Sequence, residues 1–415
     1  MIRVWSAVPV LAKRFLLSKT SDGFLSFIAW VSVFGVALGV LALTVVTSVI
    51  NGFEGELARV ITAMNGDVVV FTHSDPVRDP LAIEQKIRSI VPETQAITHS
   101  LISELMISGP SGVAGSVLEG VDLKSMRGVT QLQSRLTSGR LPEARGEVAL
   151  GSALAERIHA ELEGEVRLIL PFVSSNGAEL AGDEDALGAP KVIKAKVVGV
   201  IRMGMYEYDS KFIFGELGDV QSFLAQPDQV NTFKLRLKSG ASSSAAAEKL
   251  TDHFGYPFKA RDWTQLNRNL FYAIQLEKAV ISIILTVIVI VAAFNVVSTL
   301  MMMIHDKGRE IAILKAMGLR PGQSFRLFVL IGLGMGFVGT FFGVGFGYLL
   351  CWILEKTRWI DLPSDIYYIG FLPVRVQWLE IGLIALLAIT ISFLATLYPG
   401  WQVSRRSPLE GLRYE

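Results

Sequence analysis

The sequence contains almost no residue pattern that could support catalysis. It has no G-x-x-x-x-G-K-[ST] loop for a nucleotide phosphate, and no H-E-x-x-H, C-x-x-C or G-x-S-x-G motif. The histidines are scattered, and solvated or packed side chains explain each of them better than a ligand set: His73, His99, His159, His253 and His305. We therefore predict no catalytic residue, no metal site and no cofactor bound by this chain.

One short charged segment between two apolar runs could instead dock against a partner surface. In residues 305–323, HDKGREIAILKAMGLRPGQ, the apolar side chains Ile311, Leu314 and Met317 recur at i, i+3 and i+6. Glu310 and Lys315 lie on the other side of the predicted helix. A glycine at 318 suits the C′ position, and a proline at 321 suits the start of the next helix. A helix of about two turns is unstable alone in water, so this one needs a membrane surface or a protein partner.

The composition indicates a membrane protein with a large aqueous part. The 415 residues are 51% hydrophobic and 19% charged, and the mean hydropathy is +0.45. Four stretches reach membrane-spanning length. The predicted division is an interfacial helix at 1–22, spans at 23–50, 277–304, 324–354 and 379–398, an outer domain at 51–276, the charged helix at 305–323, an outer loop at 355–378 and a tail at 399–415.

The distribution of basic residues predicts the orientation of the spans. Lysine and arginine are concentrated before the first span, around the second connection and at the C-terminus: Arg3, Lys13, Arg14, Lys19, Lys307, Arg309, Lys315, Arg320, Arg326, Arg405, Arg406 and Arg413. The positive-inside rule then places both termini and the charged helix in the cytoplasm, and 51–276 outside it. A net charge of +1 gives no support for nucleic-acid binding. The single cysteine excludes an intrachain disulfide.

The outer domain has a mixed α/β pattern. Runs such as DVVVFTH, VLEGVD, EVRLILP, VIKAKVVGVI, KFIFG and NTFKLRLK are typical of strands, whereas DPLAIEQKIRSI, SALAERIHAEL and SSSAAAEKLTDHFG are typical of helices. The acidic, glycine-rich stretch 171–190 is longer than a tight hairpin needs. It is either a disordered insertion or a protruding functional loop.

Small and polar residues in the spans predict helix contacts. Glycines recur every three or four residues in the third span, and Gly35 and Gly39 form a similar pair in the first. Such spacing lets helix backbones approach closely, either within one chain or across a dimer. Asn295 is the main polar residue of the second span, where a helix–helix hydrogen bond is favoured over a substrate contact.

Several motifs together resemble one family. VINGFEGEL follows the first span, AAFNVVSTL lies in the second, EIAILKAMG forms the charged helix, SDIYYIGFLP precedes the fourth span, and TLYPGW with LEGLRYE closes the chain. In order and spacing they resemble the LolC/LolE family, permease subunits of the lipoprotein-releasing ABC transporter within the wider MacB-like superfamily. The resemblance implies an α-helical bacterial inner-membrane protein with four transmembrane helices plus a large mixed α/β periplasmic domain between helices 1 and 2.

The resemblance also implies partners and site residues. The partners would be a LolD-like ATPase using ATP and Mg²⁺, a second permease in a homodimer or heterodimer, a LolA-like periplasmic carrier, lipoprotein substrate and membrane lipid. The implied acyl-chain contacts are Val46, Val49, Ile50, Phe53, Tyr367, Tyr368 and Phe371. The implied ATPase-coupling residues are Glu310, Ile311, Leu314, Lys315, Met317 and Gly318. A carrier-docking loop would involve Pro171, Phe172 and Pro190.

Two other readings keep the same architecture. A MacB-like exporter would move drugs, toxins or peptides, although such pumps usually carry their ATPase on the same chain. An FtsX-like scaffold would relay the state of an ATPase to a cell-wall hydrolase and would need no substrate cavity. Within the favoured family, the SDIYYIGFLP segment resembles LolE, whereas the LEGLRYE end resembles LolC.

Overall fold

The computed structural model describes residues 23–73, 76–170, 190–357 and 371–406. They divide into two compact units, with the divisions between Glu54 and Gly55 and between Phe271 and Tyr272. We call 55–271 the α/β unit, and the described residues before and after it the membrane unit. The first and the second long helices each contribute residues to both units.

The helices and strands are as follows. The helices are α1 (Gly23–Asn65), α2 (Pro80–Ile90), α3 (Leu123–Met126), α4 (Ser152–Ile158), α5 (Tyr206–Asp209), α6 (Leu217–Phe223), α7 (Ser243–Phe254), α8 (Trp263–Leu266), α9 (Arg268–Asp306), α10 (Gly308–Ala316), α11 (Pro321–Thr357) and α12 (Trp378–Arg405). The strands are β1 (Val68–Thr72), β2 (Thr94–Gly109), β3 (Gly112–Val121), β4 (Leu136–Gly139), β5 (Glu147–Gly151), β6 (Glu165–Leu170), β7 (Lys191–Ile201), β8 (Phe212–Glu216), β9 (Thr232–Leu237) and β10 (Phe258–Asp262).

Four of these helices are long and apolar enough to cross a membrane: α1, α9, α11 and α12. The mixed α/β unit lies between the first and the second of them in sequence, so the predicted fold class is confirmed. All six runs predicted as strands and all three segments predicted as helices contain elements of the expected type.

The spans pack through glycines and apolar side chains. Gly336 on α11 lies against α12, where an added Cβ would stand 2.5 Å from the Cβ of Ser392. Farther along α11, a Cβ at Gly343 would stand 2.6 Å from the carbonyl oxygen of Ala37 on α1. Because these approaches leave no room for a side chain, the glycine stripe of the third span makes contacts within the chain.

The helix–helix hydrogen bond predicted at Asn295 involves its backbone. The Ser32 hydroxyl on α1 donates to the Asn295 carbonyl at 3.1 Å and lies 2.6 Å from the Thr299 hydroxyl oxygen. Asn295 itself is exposed on the surface of the chain. At this level of the spans, the polar link between α1 and α9 therefore comes from two hydroxyls and one backbone carbonyl.

The α/β unit contains one sheet with a closed part. The order of hydrogen-bonded strands in the sheet is β10-β1-β9-β2-β3-β8-β5-β7-β4. In addition, β6 pairs with both β2 and β7. The strands β2, β3, β8, β5, β7 and β6 therefore close into a ring. The long strand β2 makes this possible, since residues 94–100 pair with β9 and residues 106–108 pair with β6. Among the strand pairs of the described residues, β3–β8 and β5–β7 are parallel and the others are antiparallel.

A buried ion pair interrupts the apolar interior of this unit. The Lys234 ammonium contacts one carboxylate oxygen of Glu119, and the two side chains are 4% and 1% exposed. The other Glu119 carboxylate oxygen has no hydrogen-bond partner among the described residues. Removing either partner would leave a buried charge without compensation.

Candidate functional site

The end of α1 nearest the α/β unit in sequence presents a half-exposed apolar stripe. Val46, Val49, Ile50 and Phe53 recur at i, i+3, i+4 and i+7, which places them on one side of the helix. All four are partly buried and partly accessible. This surface can contact an apolar ligand without unpacking the helix.

The opposite side of the same helical segment is held by the chain that leads into α12. Ser48, Asn51 and Gly52 are buried. The backbone N–H of Arg375 donates to the Ser48 carbonyl at 2.9 Å. A Cβ at Gly52 would stand 2.3 Å from the carbonyl oxygen of Pro373, so only glycine permits this approach. Residues 371–377, which we call the approach segment, therefore cover one side of α1 and leave the apolar stripe on the other.

Three polar side chains join three helices, and the one on α1 lies on the side opposite the apolar stripe. Lys278 on α9 donates at 2.7 Å to Oδ1 of Asn51 on α1 and at 2.9 Å to Oε1 of Glu380 on α12. Nδ2 of Asn51 donates to Oε2 of Glu380. This group is not predictable from the sequence, because residues 51, 278 and 380 give no local sign of being neighbours.

The residues predicted just before the fourth span are placed only in part. Phe371 is half-buried at the start of the approach segment. Tyr367 and Tyr368 lie outside the described residues. Their assignment to the acyl-chain surface stays a prediction.

The charged helix predicted from the sequence is α10, and its end is well defined. Met317 is its C-cap, and Gly318 follows at φ +102°. The Gly318 N–H donates to the Lys315 carbonyl at 3.0 Å, and the Leu319 N–H donates to the Leu314 carbonyl at 3.0 Å. These two bonds form a Schellman motif, in which glycine takes the left-handed position. Gly318 thus ends α10 before α11 begins at Pro321.

The predicted coupling residues divide between an inner and an outer face of α10. Ile311 is buried within the core of the membrane unit, and Leu314 is half-buried. Glu310 and Met317 are exposed, Met317 to 79%. Ile313, which the sequence analysis did not single out, is 45% exposed on the same side. The predicted faces are therefore wrong for two residues, because Met317 shares the exposed side with Glu310, and the half-buried Lys315 bonds to the end of α12. The side of α10 that carries Glu310, Ile313 and Met317 is the one accessible to a partner.

Lys315 attaches α10 to the end of the fourth span. Its ammonium donates to the carbonyls of Val403 and Arg406, both at 2.7 Å, and more weakly to the Ser404 carbonyl at 3.4 Å. Burial, together with the nearby Arg406 charge, lowers the pKa of the Lys315 ammonium. The carbonyls at the end of α12 stabilise this cation as a helix C-terminus does.

The residues that flank the predicted carrier-docking loop are neighbours in the sheet. β6 ends at Leu170 and β7 starts at Lys191, and these two residues pair in antiparallel register. Pro190 is exposed at the start of β7. Pro171 and Phe172 lie outside the described residues. The segment 171–190 is therefore the connection between two adjacent antiparallel strands.

Two further observations bound the possible chemistry. Among the described residues, no three His, Cys, Asp or Glu side chains come together as a metal site would require.

A wholly apolar groove of about 570 Å³ lies between α1 and α11, lined by side chains that include Trp30, Phe34, Phe342 and Phe346. No pattern in the sequence predicts this groove.

Comparison with known proteins places the chain in a family. Residues 282–408 match the FtsX-like permease C-terminal model, and residues 29–253 match the MacB-like periplasmic core domain model. The chain is 31% identical to the lipoprotein-releasing system transmembrane protein LolC of Neisseria meningitidis, over 97% of this chain and 98% of that protein. It is 30% identical to LolC of Xylella fastidiosa, over 97% of both chains. It is 27% identical to LolE of Haemophilus influenzae, over 96% of this chain and 97% of that protein. The four spans, the α/β unit between the first two and this near full-length similarity together make the chain a member of the LolC/LolE family of ABC-transporter permeases.

Proposed function

We propose that this chain is the permease subunit that extracts lipoproteins from the outer leaflet of a bacterial inner membrane and passes them to a periplasmic carrier. The half-exposed apolar stripe of Val46, Val49, Ile50 and Phe53 is the observation that carries the proposal, because acyl chains require an apolar surface that the protein leaves accessible. In the orientation that the positive-inside rule predicts, both termini and α10 are cytoplasmic, and the α/β unit is periplasmic.

The energetics favour transfer between sheltered surfaces. Exposing acyl chains to water costs about 0.8 kcal/mol per CH₂ group, so three chains of about 15 such groups would cost roughly 35 kcal/mol. Release into bare water is therefore excluded, and the acyl chains must leave one apolar surface for another. A LolA-like carrier, docked through the 171–190 connection with its flanking Pro171, Phe172 and Pro190, would provide that second surface.

The driving force would come from a separate LolD-like ATPase, which uses ATP and Mg²⁺. The exposed side of α10, with Glu310, Ile313 and Met317, is the surface that fits such a subunit. On the inner side of α10, Ile311 packs into the core of the spans and Lys315 bonds to the end of α12. Pressure on α10 would then act on the core of the spans and on the end of α12.

A second permease subunit would complete the transporter. The family contains both LolC and LolE proteins, and this chain is similar to members of each. The second subunit would be either another copy of this chain or a LolC/LolE-type relative. Membrane lipid surrounds the pair, and nucleic acid has no role.

Site-specific crosslinking tests the substrate assignment. A photo-reactive amino acid at Ile50 should capture labelled lipoprotein in proteoliposomes that contain the ATPase and the carrier. The matched control is the same amino acid at Leu379, which is 76% exposed on α12. Capture at Leu379 but not at Ile50 would contradict the proposed surface. Capture of a drug or peptide in place of lipoprotein would favour a MacB-like exporter, and absence of any substrate would favour an FtsX-like scaffold.

Substitution on α10 tests the coupling surface. In Met317→Asp and Leu314→Asp, we expect ATP hydrolysis to continue while release of lipoprotein to the carrier falls. Arg309→Gln, also exposed on α10, is the control for a polar change nearby. Normal release by both Asp variants would contradict the role of this helix.

A further inference from the structure

The polar group formed by Asn51, Lys278 and Glu380, which we call the outer latch, joins α1, α9 and α12. Lys278 is 2.7 Å from Asn51 and 2.9 Å from Glu380, and Asn51 also donates to Glu380, so the three side chains form a closed triangle. Asn51 is 3% exposed, and the Lys278 and Glu380 side chains are 29% and 25% exposed. A charge pair that is partly shielded from water and linked by an amide is stronger than an isolated surface pair.

The latch lies where it can set the spacing of the spans. Asn51, Lys278 and Glu380 all stand at the ends of apolar runs, on the side connected to the α/β unit. Each belongs to a different helix, so the triangle closes only when the three helix ends are at the observed separation. Partial burial of both side chains also lowers the local dielectric, which strengthens the attraction between the ammonium and the carboxylate.

The latch also sets the orientation of α1. Asn51 lies directly between Ile50 and Gly52, and successive helical residues are rotated by a constant angle of about 100°. Fixing Asn51 against α9 and α12 therefore fixes the directions of Ile50 and Phe53, which lie about 100° and about 160° away from Asn51 around the helix. We propose that Lys278, acting through Asn51 and Glu380, is a positioning residue that orients the acyl-chain stripe of α1 at the periplasmic mouth. This inference rests on the proposed function for the identity of the ligand, but not for the geometry.

Distances between spin labels test the geometry without any substrate. Labels at Leu276 on α9 and Leu379 on α12, which are 55% and 76% exposed, flank the latch. The native cysteine, Cys351, is first replaced by serine. In full-length Lys278→Met protein, we expect the distribution of label–label distances to become broader and to shift to longer distances. The reason is that the equilibrium between joined and separated helix ends moves about tenfold toward the separated state, which is equivalent to about 1.4 kcal/mol. An unchanged distribution would overturn the proposal.

A charge exchange separates the latch from general destabilisation. An asparagine side chain offers an acceptor on one side and donors on the other, and a flip of the amide exchanges them. Asn51 can therefore serve the pair Lys278→Glu with Glu380→Lys as well as the native pair. The double variant should restore the narrow distribution, whereas each single variant should not. Glu277→Gln, a charge loss at an exposed neighbour on α9, should leave the distribution unchanged.

Crosslinking at Ile50 connects the geometry to the ligand. In Lys278→Met we expect the yield of lipoprotein adduct at Ile50 to fall, and in the charge-exchanged double variant we expect it to recover. If the distances respond but the adduct yield at Ile50 does not, the positioning role is overturned. If the native protein gives no lipoprotein adduct while the distances still respond to Lys278→Met, the proposed function fails and the latch itself is supported.

Discussion

The ammonium of Lys315 on α10 donates a 2.7 Å hydrogen bond to the carbonyl of Val403, in the last turn of α12. A residue that the sequence places on the polar side of an isolated short helix thus serves as the C-terminal cap of a membrane span. The same ammonium reaches the Arg406 carbonyl at 2.7 Å. The Val403 carbonyl also accepts from the Arg406 N–H at 3.3 Å, so the lysine adds a charged donor at this helix end. It also satisfies the Arg406 carbonyl, which lies just after the last residue of α12.

Replacing this lysine should destabilise the membrane unit. In Lys315→Met the aliphatic stem is retained, but the carbonyls at the end of α12 lose a charged donor, so we expect a loss of about 1.5–3 kcal/mol in the free energy of unfolding. Thermal or denaturant unfolding in detergent measures it. Arg309→Met, at an exposed position of α10, is the control. Equal losses in both variants would show that the cap does not matter.

The close approach of α1 and α11 should depend on Gly343 and not on Gly345. A Cβ at Gly343 would meet the Ala37 carbonyl oxygen at 2.6 Å, whereas Gly345 has open space. We expect Gly343→Ala to destabilise the protein by about 1–3 kcal/mol, since the two helices must separate. Gly345→Ala should be neutral, or stabilising by less than about 1 kcal/mol. Parallel unfolding measurements on the two variants give the comparison, and a similar loss in both would contradict the observed contact.

The buried ion pair of the α/β unit should respond differently to single and double substitutions. Lys234→Met leaves the Glu119 carboxylate buried without its counter-ion, so we expect a loss of about 3–5 kcal/mol. Adding Glu119→Leu removes that charge and should recover most of the loss. Chemical unfolding of the full-length single and double variants measures both effects. A double variant as unstable as Lys234→Met would mean that packing, rather than charge, dominates this position.

Acidification should remove a contribution to stability made by Glu147. The hydrogen-bonded Arg140 guanidinium, with the backbone N–H groups of Glu143 and Ala144, lowers the pKa of Glu147 from about 4.5 to about 2. A carboxyl whose pKa is lower in the folded state stabilises the protein above its unfolded pKa. That stabilisation is therefore complete at neutral pH and is lost as the pH falls from about 4.5 to about 2.

Comparing Glu147→Gln with the native protein checks this effect. The variant should be less stable at pH 7, and the difference should shrink as the pH falls through that window. Glu165→Gln is the control, because Glu165 and its partner Lys194 are 69% and 68% exposed and such pairs contribute little. A stability difference for Glu147→Gln that does not depend on pH would contradict the assigned cause.

The strands and helices were predictable only where the chain carries a local pattern. β6 alternates clearly, with Val166 and Leu168 buried, and its sequence predicts a strand. β2 was missed, although at 16 residues it is the longest strand described. It changes partner from β9 to β6 along its length, so the side that is buried changes as well and no single period runs through it.

The same distinction holds for the candidate site. The apolar spacing of Val46, Val49, Ile50 and Phe53 follows from the helical period, and resemblance to a family assigned the stripe to acyl chains. That Asn51 meets Lys278 and Glu380 could not be read from the sequence, because the three are separated by more than 100 residues at each step. The exposure of Ile313 on α10 likewise depends on which face the membrane unit covers.

By itself, the sequence determined the four spans, the α/β character of the domain between the first two, and the short helix ended by Gly318. Each of these depends on hydrophobic length, on a period of about 2 or 3.6 residues, or on a capping residue, all of which are local properties of the chain. The tertiary structure alone decided the closed ring of strands, the outer latch and the attachment of Lys315 to α12. These contacts join residues far apart in sequence, and their free energy depends on distance and burial that only the folded chain establishes.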